Sequence, residues 1–407
     1  MSKWYEKTLE EKSNIIYSRI RLARNWDEYV FPSRLDEEGS RELVDGLKDG
    51  LKEIPYPYYA LENMQQAEKK ALRERRILNR CAVEKTYAQG LYLSEDESES
   101  ILLGADDHIR MQFLAPGLCL EKLWQKADAA DDRINEHFPY PYDEKYGYLT
   151  TFPTNMGTGL KACVVIHLPM LSQLKKFQGI VADMGRLGTY IRGLFGEGSE
   201  NAGNMYELSN QRTLGLSERE IIELVNKAAV QLNSQEQKVR KAALNARKLE
   251  REDETYKSYG VLKYARKMAE KDARVFIGQL ISGETDGLIS FEKEESLYSL
   301  LVGIKPANLN LWASRPLDKE ETDCVRAAIS GNIYLRYAAD RWIFEMHRDI
   351  KEDNNGTIYT AGERGLKPGS RNGRKLKPRL CGNRASADRP FTGRNRRCSQ
   401  GLRGKWG

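Results

Sequence analysis

The chain has 407 residues and a formal net charge of +6, but its charge is unevenly distributed. Residues 353–407 contain 14 basic and 3 acidic side chains, whereas residues 1–352 have a net charge of −5. The basic character therefore belongs to the C-terminal end, which argues against a nucleic-acid-binding face along the whole chain.

Composition and cysteine spacing predict a soluble, cytoplasmic protein. Hydrophobic residues make up 40% of the chain, enough for a large core and about two domains. The longest apolar stretch, residues 162–171, is too short to span a bilayer. No apolar segment typical of a secretion signal follows the N-terminus. The six cysteines lie far apart, which predicts free thiols in a reducing compartment.

The first half of the chain mixes helical and strand patterns. Helical spacing of apolar residues predicts helices at 38–53, 62–80 and 118–138. Short apolar runs between acidic or glycine turns predict strands between residues 91 and 114, and then at 147–152, 161–168, 190–195 and near 204–209.

From residue 217 onward the pattern is helical. Ser217 and Glu220 have the spacing of a capping box, which predicts the start of a long helix that reaches about residue 252. Residues 253–351 continue the helical pattern, with loops at 282–290 and 303–317. The sequence therefore predicts an α+β protein, with an antiparallel-sheet catalytic domain over residues 1–215 and a helical C-terminal domain over 216–351.

Residues 352–407 form a basic tail without helical or strand periodicity. The tail is rich in arginine and holds 10 of the 33 glycines, which predicts disorder. We interpret it as out-of-frame or read-through sequence, which the reading frame around codon 352 would test. The alternative is a tail that binds nucleic acid or phosphate; otherwise we expect no nucleic-acid partner.

Several basic residues lie beside predicted strand edges and glycine turns: Arg19, Arg21, Arg110, Lys161 and Arg192. No GxxxxGK[ST] motif occurs, so the chain has no P-loop. A triphosphate can also be held by several guanidinium groups, each of which donates paired hydrogen bonds to phosphate oxygens. Taken singly, each of these residues is more simply an ordinary surface charge.

Five segments, in order along the chain, resemble the signatures of the ATP:guanido phosphotransferases. They are residues 18–25 (SRIRLARN), 107–110 (DHIR), 147–162 (GYLTTFPTNMGTGLKA), 192–200 (RGLFGEGSE) and 208–215 (LSNQRTLG). The resemblance covers roughly residues 13–345. Within the family it is greatest to the bacterial protein arginine kinases, because only 17 residues precede Ser18 and a helical segment follows the catalytic one. It implies phosphorylation of arginine side chains in proteins, with ATP and Mg²⁺, the latter held mainly through the nucleotide.

The resemblance also implies the residues of the active site. Phosphoryl transfer requires that donor and acceptor be aligned and phosphate charge be neutralised, and a guanidinium acceptor must be oriented and deprotonated by carboxylates. The implied catalytic carboxylates are Asp106 and Glu197. The implied nucleotide-binding residues are Ser18, Arg19, Ile20, Arg21, Arg110, Lys161, Ala162, Cys163, Val164, Val165, Arg192, Gly193, Leu194, Phe195, Gly196 and Glu197.

Some positions depart from the family pattern and support an alternative function. Ala105 replaces an acidic residue, Asp106 is a methylene shorter than the family's glutamate, and Phe152 stands at the family's cysteine position. Lys161 replaces an arginine, and Tyr17 replaces the first serine of its motif. The alternative is a nucleotide-binding pseudokinase or adaptor with little or no phosphotransfer. A third hypothesis, a kinase of a free guanidino compound, is disfavoured by the absence of an N-terminal helical domain.

The resemblance further implies regulation and partners. Residues 322–327 (TDCVRA) resemble a phosphoarginine-binding motif of the helical domain, with Asp323 and Arg326 retained; the alternative is a simple Asp–Arg pair on a helix surface. The implied partners are proteins with accessible arginines, a zinc-finger activator and a Clp-type protease, in bacterial stress response and protein quality control. We expect a homodimer and no membrane partner.

Three further residues have chiefly structural interpretations. Cys163 lies in a buried-strand pattern and is expected to be a small core residue. His167 lies between apolar neighbours and is expected in the core. For His108, a phosphate contact, the orientation of Asp106 and a hydrogen-bonded scaffold role all remain open.

Overall fold

The computed structural model describes residues 2–8, 13–196, 201–291 and 296–331. The predicted basic tail, the end of the helical segment and Glu197 lie outside these residues. Within the described residues, no helix has the length and hydropathy needed to cross a membrane.

The strands of the described residues form one large sheet and a short hairpin. Their bounds are β1 (Ile15–Arg24), β2 (Tyr58–Ala60), β3 (Gly90–Leu93), β4 (Glu99–Leu103), β5 (Ile109–Pro116), β6 (Tyr142–Asp143), β7 (Gly147–Tyr148), β8 (Leu160–His167), β9 (Thr189–Gly193) and β10 (Met205–Asn210). Eight of these described strands pair antiparallel in the order β2-β3-β4-β5-β1-β8-β10-β9, and β6 pairs with β7. β1, near the start of the predicted catalytic domain, therefore lies beside β8, near its end, at the centre of the sheet.

Helices follow or connect these strands. Their bounds are α1 (Glu37–Gly50), α2 (Gln66–Glu74), α3 (Arg80–Glu84), α4 (Leu120–His137), α5 (Phe177–Arg186), α6 (Glu218–Ala246), α7 (Lys248–Tyr264), α8 (Glu270–Thr285), α9 (Leu297–Gly303), α10 (Pro306–Trp312) and α11 (Lys319–Gly331).

The central strands present different side chains to the two faces of the sheet. Successive side chains of a strand point to opposite faces, so Ile20 and Leu22 of β1 lie on one face and Arg19 and Arg21 on the other. Ile20 and Leu22 are fully buried in a core cluster that includes residues of α4, α5 and α6. That face is covered by helices, which leaves the arginine-bearing face for other contacts.

Part of the arginine-bearing face packs against the C-terminal helices. Cys163 and Val165 of β8 belong to a second core cluster with residues such as Ile277 of α8 and Leu301 of α9. Cys163 is fully buried, and burial raises the pKa of its thiol to about 12. The prediction of Cys163 as a small core residue is confirmed. The rest of this face, toward the other end of β1, carries the charged residues described below.

The predicted α+β class with an antiparallel sheet is confirmed. The capping box is also confirmed: the Ser217 hydroxyl accepts from the backbone N–H of Glu220, and the Glu220 carboxylate accepts from that of Ser217. The predicted division between residues 215 and 216 stays a prediction. In the structure α6 contributes Ile221 and Val225 to the core on the helix-covered face of the sheet.

Four element predictions are wrong in their bounds. The long helix predicted to reach about residue 252 ends at Ala246, because Arg247 has a non-helical backbone conformation and α7 begins after it. The helix predicted at 62–80 runs only from Gln66 to Glu74, because Arg76 has a left-handed backbone conformation that ends it, and after a turn α3 begins at Arg80. The strand predicted at 147–152 ends at Tyr148, after which the chain turns and Thr150 bonds to the carbonyl of Phe152. The loop predicted at 303–317 contains α10, which begins at Pro306, a residue favoured in the first helical turn.

Candidate active site

Strand pairing brings the predicted basic residues together on one face of the sheet. Arg21 of β1 lies opposite Lys161 of β8, and Arg110 of β5 lies opposite Ala23 of β1. Positions 19, 21 and 23 of a strand project on the same side. The register therefore assembles one cationic site, which we call the arginine clamp: Arg19, Arg21, Arg110, Lys161 and Arg192.

A buried carboxylate joins two members of the arginine clamp. Glu207 of β10 lies opposite Arg192 of β9. It accepts from Arg192 Nη2 at 2.6 Å and from Arg19 Nη2 at 3.2 Å. Burial alone would raise the pKa of Glu207, but Arg19, Arg192 and Arg76 together lower it to about 2. Glu207 is therefore ionised at neutral pH and fixes both guanidinium groups by charge-assisted hydrogen bonds.

Arg21 and Arg110 have less compensating negative charge. Burial lowers the pKa of Arg21 to about 10, with repulsion from Arg19 as the second cause. Burial lowers the pKa of Arg110 to about 9, with repulsion from Arg21 as the second cause. Asp106 Oδ2 lies 3.9 Å from Arg110 Nη1 and offsets only part of this repulsion. Both groups remain protonated at neutral pH, and an anion placed between them would relieve the repulsion.

Lys161 completes the arginine clamp at the start of β8. Burial lowers the pKa of Lys161, and Arg21 lowers it further. The ammonium group donates to the backbone carbonyl of Asn210. The Asn210 side chain accepts from the N–H of Ala162 at 3.0 Å and donates to the carbonyl of Leu160 at 3.0 Å. Lys161 is therefore held beside Arg21 by a link between β8 and β10.

Other predicted nucleotide-binding residues have their side chains in the protein core. Ser18 is fully buried on the opposite face, where its hydroxyl donates to the carbonyl of Gly117 at 2.7 Å. The remaining buried positions belong to the two core clusters: Ile20, Ala162, Cys163, Val164, Val165 and Leu194. The side chains that face the site in these segments are thus the basic ones, and the intervening residues build the sheet that carries them.

The loop after β9 requires glycine and is held by cations. A Cβ atom on Gly193 would lie 1.9 Å from the carbonyl oxygen of Gly196, so only glycine fits there. The carbonyl of Leu194 accepts from Arg76 Nη2 at 3.0 Å. The guanidinium of Arg274 lies 4.5 Å from the centre of the Phe195 ring, within the range of a cation–π interaction. Glu197, the second predicted catalytic carboxylate, lies outside the described residues.

Asp106, the first predicted catalytic carboxylate, lies beside the arginine clamp in the turn between β4 and β5. Both of its oxygens accept from Asn79 Nδ2, at 2.6 and 2.5 Å. Its side chain is 20% exposed, and that of Arg110 is 12% exposed. A carboxylate thus lies at the edge of a cationic site and retains access to solvent.

The neighbouring Asp107 and His108 connect the signature segments to one another. Asp107 accepts from Asn25 Nδ2 at 3.0 Å and from the N–H of Thr151 at 2.7 Å. His108 Nδ1 accepts from the N–H of Trp26 at 2.9 Å. Burial lowers the pKa of His108 to about 4, so the ring is neutral at pH 7. Of the three roles left open for His108, these contacts are those of a hydrogen-bonded scaffold.

Two further predictions concern residues away from the arginine clamp. His167 is buried in the sheet, and burial lowers its pKa to about 3, as expected of a core histidine. Arg326 is 2% exposed and donates to the carbonyls of Ile304 and Met268, each at 2.9 Å, and to Asp323 Oδ1 at 2.5 Å. These bonds join α11 to the segments that contain Ile304 and Met268. The phosphoarginine site at Asp323 and Arg326 stays a prediction.

Sequence reasoning missed Glu207, Arg76 and Asn79. Glu207 lies one residue before the signature segment 208–215 but outside it, and its partners Arg19 and Arg192 come from other strands. Arg76 has a left-handed backbone conformation with a φ of 70°, which no sequence pattern indicates. Asn79 did offer a signal, because asparagine favours N-caps and here precedes a short helix.

Two family models match the chain. Residues 40–239 match the model described as ATP:guanido phosphotransferase, C-terminal catalytic domain. Residues 247–334 match the model described as protein-arginine kinase McsB C-terminal domain. A protein-arginine kinase of Bacillus velezensis is 36% identical over 348 residues, which cover 84% of this chain and 96% of that protein. The protein-arginine kinase of Bacillus subtilis is 36% identical over 335 residues, 81% of this chain and 92% of that one.

The chain belongs to the protein-arginine kinase family of ATP:guanido phosphotransferases. Solved structures support the same fold. A crystal structure of lombricine kinase has a TM-score of 0.51 and 25% identity, and the match covers 59% of this chain and 69% of that one. A duplicated taurocyamine kinase from Schistosoma mansoni has a TM-score of 0.50 and 22% identity, over 57% of this chain and 36% of that one. The resemblance predicted from the five signature segments is thereby confirmed.

Proposed function

We propose that this protein is an ATP-dependent kinase that phosphorylates arginine side chains of proteins. The observation that carries the proposal is the arginine clamp with the Asp106 carboxylate at its edge. A polyphosphate and a guanidinium are the two ligands that these opposite charges would recognise side by side. The charges alone would not distinguish a protein arginine from a free guanidino compound. The relatives are protein-arginine kinases, and this favours a protein arginine as the acceptor.

ATP fits the arginine clamp because Arg21 and Arg110 repel each other in a buried setting. The phosphate oxygens would accept hydrogen bonds from Arg21, Arg110 and Lys161, while Glu207 holds Arg19 and Arg192 in place. Mg²⁺, held mainly through the nucleotide's phosphates, would neutralise further charge on the transferred group. The work of this chain is then alignment and charge neutralisation rather than covalent catalysis.

Asp106 would serve the acceptor. A guanidinium nitrogen forms a bond to the γ-phosphorus while the bond from that phosphorus to the bridging oxygen breaks and ADP leaves. The attacking guanidinium loses one proton, and a carboxylate within hydrogen-bonding distance is a suitable acceptor for it. Asp106 accepts hydrogen bonds from Asn79 on one side, and its side chain is partly accessible to solvent. It would therefore orient the guanidinium and take the proton.

We further propose that the protein acts in the bacterial cytoplasm, in stress response and protein quality control. Its partners would be unfolded proteins with accessible arginines, a zinc-finger activator and a Clp-type protease that receives the modified proteins. The resemblance to the protein-arginine kinases supports these roles and the proposed homodimer.

The test is an assay of the purified protein with Mg-ATP and an unfolded substrate protein. We expect phosphate on arginine, recognised as acid-labile, base-stable label and located by mass spectrometry. Replacement of Asp106 by asparagine removes the proton acceptor but keeps the shape. We expect it to lower the turnover rate by about 10²-fold or more while nucleotide affinity stays within a few-fold.

Three results would contradict the proposal in different ways. Nucleotide binding without any phosphoarginine, even with an activator, would favour the pseudokinase or adaptor. Phosphorylation of free arginine or creatine but not of protein would indicate a kinase of small guanidino compounds. An Asp106→Asn variant with wild-type turnover would remove Asp106 from the mechanism.

A further inference from the structure

Asn79 touches the proposed catalytic carboxylate with both ends of its side chain committed to hydrogen bonds. Its Nδ2 donates to both oxygens of Asp106, at 2.6 and 2.5 Å. Its Oδ1 accepts from the N–H of Ala82 at 2.8 Å and caps the N-terminus of α3. Because the amide is planar, the cap fixes the direction in which Nδ2 points. The cap of α3 therefore orients the Nδ2 donor of Asn79 toward Asp106.

We propose that Asn79 is a positioning residue that holds the Asp106 carboxylate away from Arg110 and free for the acceptor guanidinium. The inference rests on the proposed function. Asp106 lies 3.9 Å from Arg110, which is too far for a hydrogen bond but close enough for electrostatic attraction in a partly buried site. Without a competing donor, the carboxylate would rotate into a direct pair with Arg110. Such a pair would occupy the proton acceptor and neutralise part of the arginine clamp.

The groups around Asp106 come from several elements. Arg110 of β5 and Arg21 of β1 attract it from the side of the arginine clamp. On the other side, burial and the Asp106 carboxylate raise the pKa of the Cys81 thiol of α3. The nearby Lys85 adds attraction, while its ammonium donates to the carbonyl of Gly104. Asp107 adds repulsion from the adjacent position. Asn79 contacts both carboxylate oxygens at hydrogen-bonding distance and is thus placed to decide the orientation.

The experiment separates this role from helix capping by comparing four proteins. Asn79→Ser keeps an N-cap acceptor but has no donor that reaches Asp106. Asn79→Asp keeps the cap but places a second carboxylate beside Asp106. Asp36→Ala is the matched control, because Asp36 caps α1 through the N–H of Gly39 and is exposed at a distant helix. Each is compared with the wild type for thermal stability, kcat, KM for ATP and pH–rate profile.

We expect Asn79→Ser to keep wild-type thermal stability and to lose about 10-fold or more in kcat for protein arginine, because a misplaced group of this kind has such an effect. Asn79→Asp should move the acid limb of the pH–rate profile to higher pH, since a neighbouring carboxylate favours proton uptake by the pair. Asp36→Ala should lower thermal stability and leave kcat unchanged. Wild-type kcat in Asn79→Ser, or losses of kcat that follow thermal stability across all variants, would overturn the proposal.

A structural measurement tests the inference even if the protein phosphorylates nothing. Crystal structures of the wild type and of Asn79→Ser should differ at one carboxylate. In the variant, Asp106 should form a direct ion pair with Arg110, whereas in the wild type the two should stay apart. An Asp106 that keeps its wild-type orientation in Asn79→Ser would overturn the proposal, and absence of phosphoarginine in the wild type would count against the proposed function alone.

Discussion

Two carboxylates of the site contact arginines in different ways. Glu207 forms direct hydrogen bonds to Arg192 and Arg19, at 2.6 and 3.2 Å, so it belongs to the framework that holds the arginine clamp. Asp106 is bonded by the neutral amide of Asn79 and lies apart from Arg110. A carboxylate that must exchange a proton is served by neutral donors, because a direct ion pair would keep it ionised.

At the residue scale, repulsion within the arginine clamp predicts opposite effects on binding and stability. Arg110→Met removes a buried cation that Arg21 repels. We expect the affinity for ATP to fall about 10-fold or more, because a charge-assisted phosphate contact is lost. The free energy of unfolding without nucleotide should stay the same or rise by about 1 kcal/mol. Nucleotide titration and denaturant unfolding measure the two quantities.

The control for this prediction is Arg219→Met, which removes an arginine whose side chain is 86% exposed on α6. It should alter neither nucleotide affinity nor stability appreciably. A large loss of stability in Arg110→Met would show that the arginine is a structural cation, and unchanged affinity would remove it from the nucleotide site.

The basic residues of the arginine clamp could be predicted from the sequence. The residues that hold the site in place, Glu207 and Asn79, could not. Arg19, Arg21 and Arg110 stand in segments whose resemblance to a family indicates a phosphate site. Glu207 and Asn79 act on partners in other elements, 188 and 27 residues away along the chain. Their roles depend on which strands and helices become neighbours, and that is set by packing of the whole chain.

At the scale of elements, a contact between α2 and α10 joins the sheet region to the C-terminal helices. Glu74, at the end of α2, accepts from the N–H groups of Ala307 and Asn308, at 3.1 and 3.0 Å. The carboxylate thereby caps the N-terminus of α10 and interacts favourably with the helix dipole. The ammonium of Lys305 donates to the carbonyl of Glu74 at 3.0 Å and lies 5.5 Å from the centre of the Phe195 ring.

Lys305 predicts a pH dependence of stability at this contact. Burial lowers the pKa of Lys305 from 10.5 to about 7, with repulsion from Arg76 as the second cause. Between pH 7 and 10.5 the unfolded chain holds a proton that the folded protein releases, so Lys305 destabilises the fold increasingly as the pH falls toward 7. Relative to wild type, Lys305→Met should gain about 1–2 kcal/mol in free energy of unfolding between pH 9.5 and pH 7.

Denaturant unfolding at several pH values measures this difference. Lys257→Met, which removes a lysine that is 75% exposed on α7, is the control and should show no such slope. A difference between Lys305→Met and wild type that does not vary with pH would show that the lysine keeps its ordinary pKa in the folded protein.

The elements with strong local signals were predicted closely. The strands predicted at 161–168, 190–195 and near 204–209 correspond to β8, β9 and β10, and α6 begins at the predicted capping box. The start of α10 has one local signal, Pro306, but its N-terminal cap is Glu74, a residue more than 230 positions earlier in the chain. Local sequence cannot report a cap supplied by another part of the fold.

At the scale of the whole molecule, one sheet supports two groups of helices. α4, α5 and α6 pack on one face, and α8 and α9 pack on part of the other. The arginine clamp lies on the same strands that both groups cover. Binding at the clamp should therefore stabilise both groups of helices together.

Differential scanning calorimetry tests this coupling. We expect a single unfolding transition for the core formed by both groups of helices, which moves as a whole to higher temperature with nucleotide. At a nucleotide concentration of about 100 times Kd, the added stability should be about 2.7 kcal/mol. Two transitions, of which only one responds to nucleotide, would show that the C-terminal helices unfold independently of the sheet.

The pairing of β1 with β8 has a consequence for how this protein tolerates change. Arg21 faces Lys161, and Arg19 faces Cys163, because residues 17–22 of β1 pair with residues 160–165 of β8 without interruption. Insertion or deletion of a single residue in β8 would turn every later side chain to the opposite face, placing Val164 among the cations and a charge in the core. The stretch of β1 and β8 that carries the arginine clamp should therefore tolerate replacement of one residue by another better than a change in length. At its far end, β1 already holds one extra residue, since Ile15 pairs with Ile166 and Tyr17 with Val165.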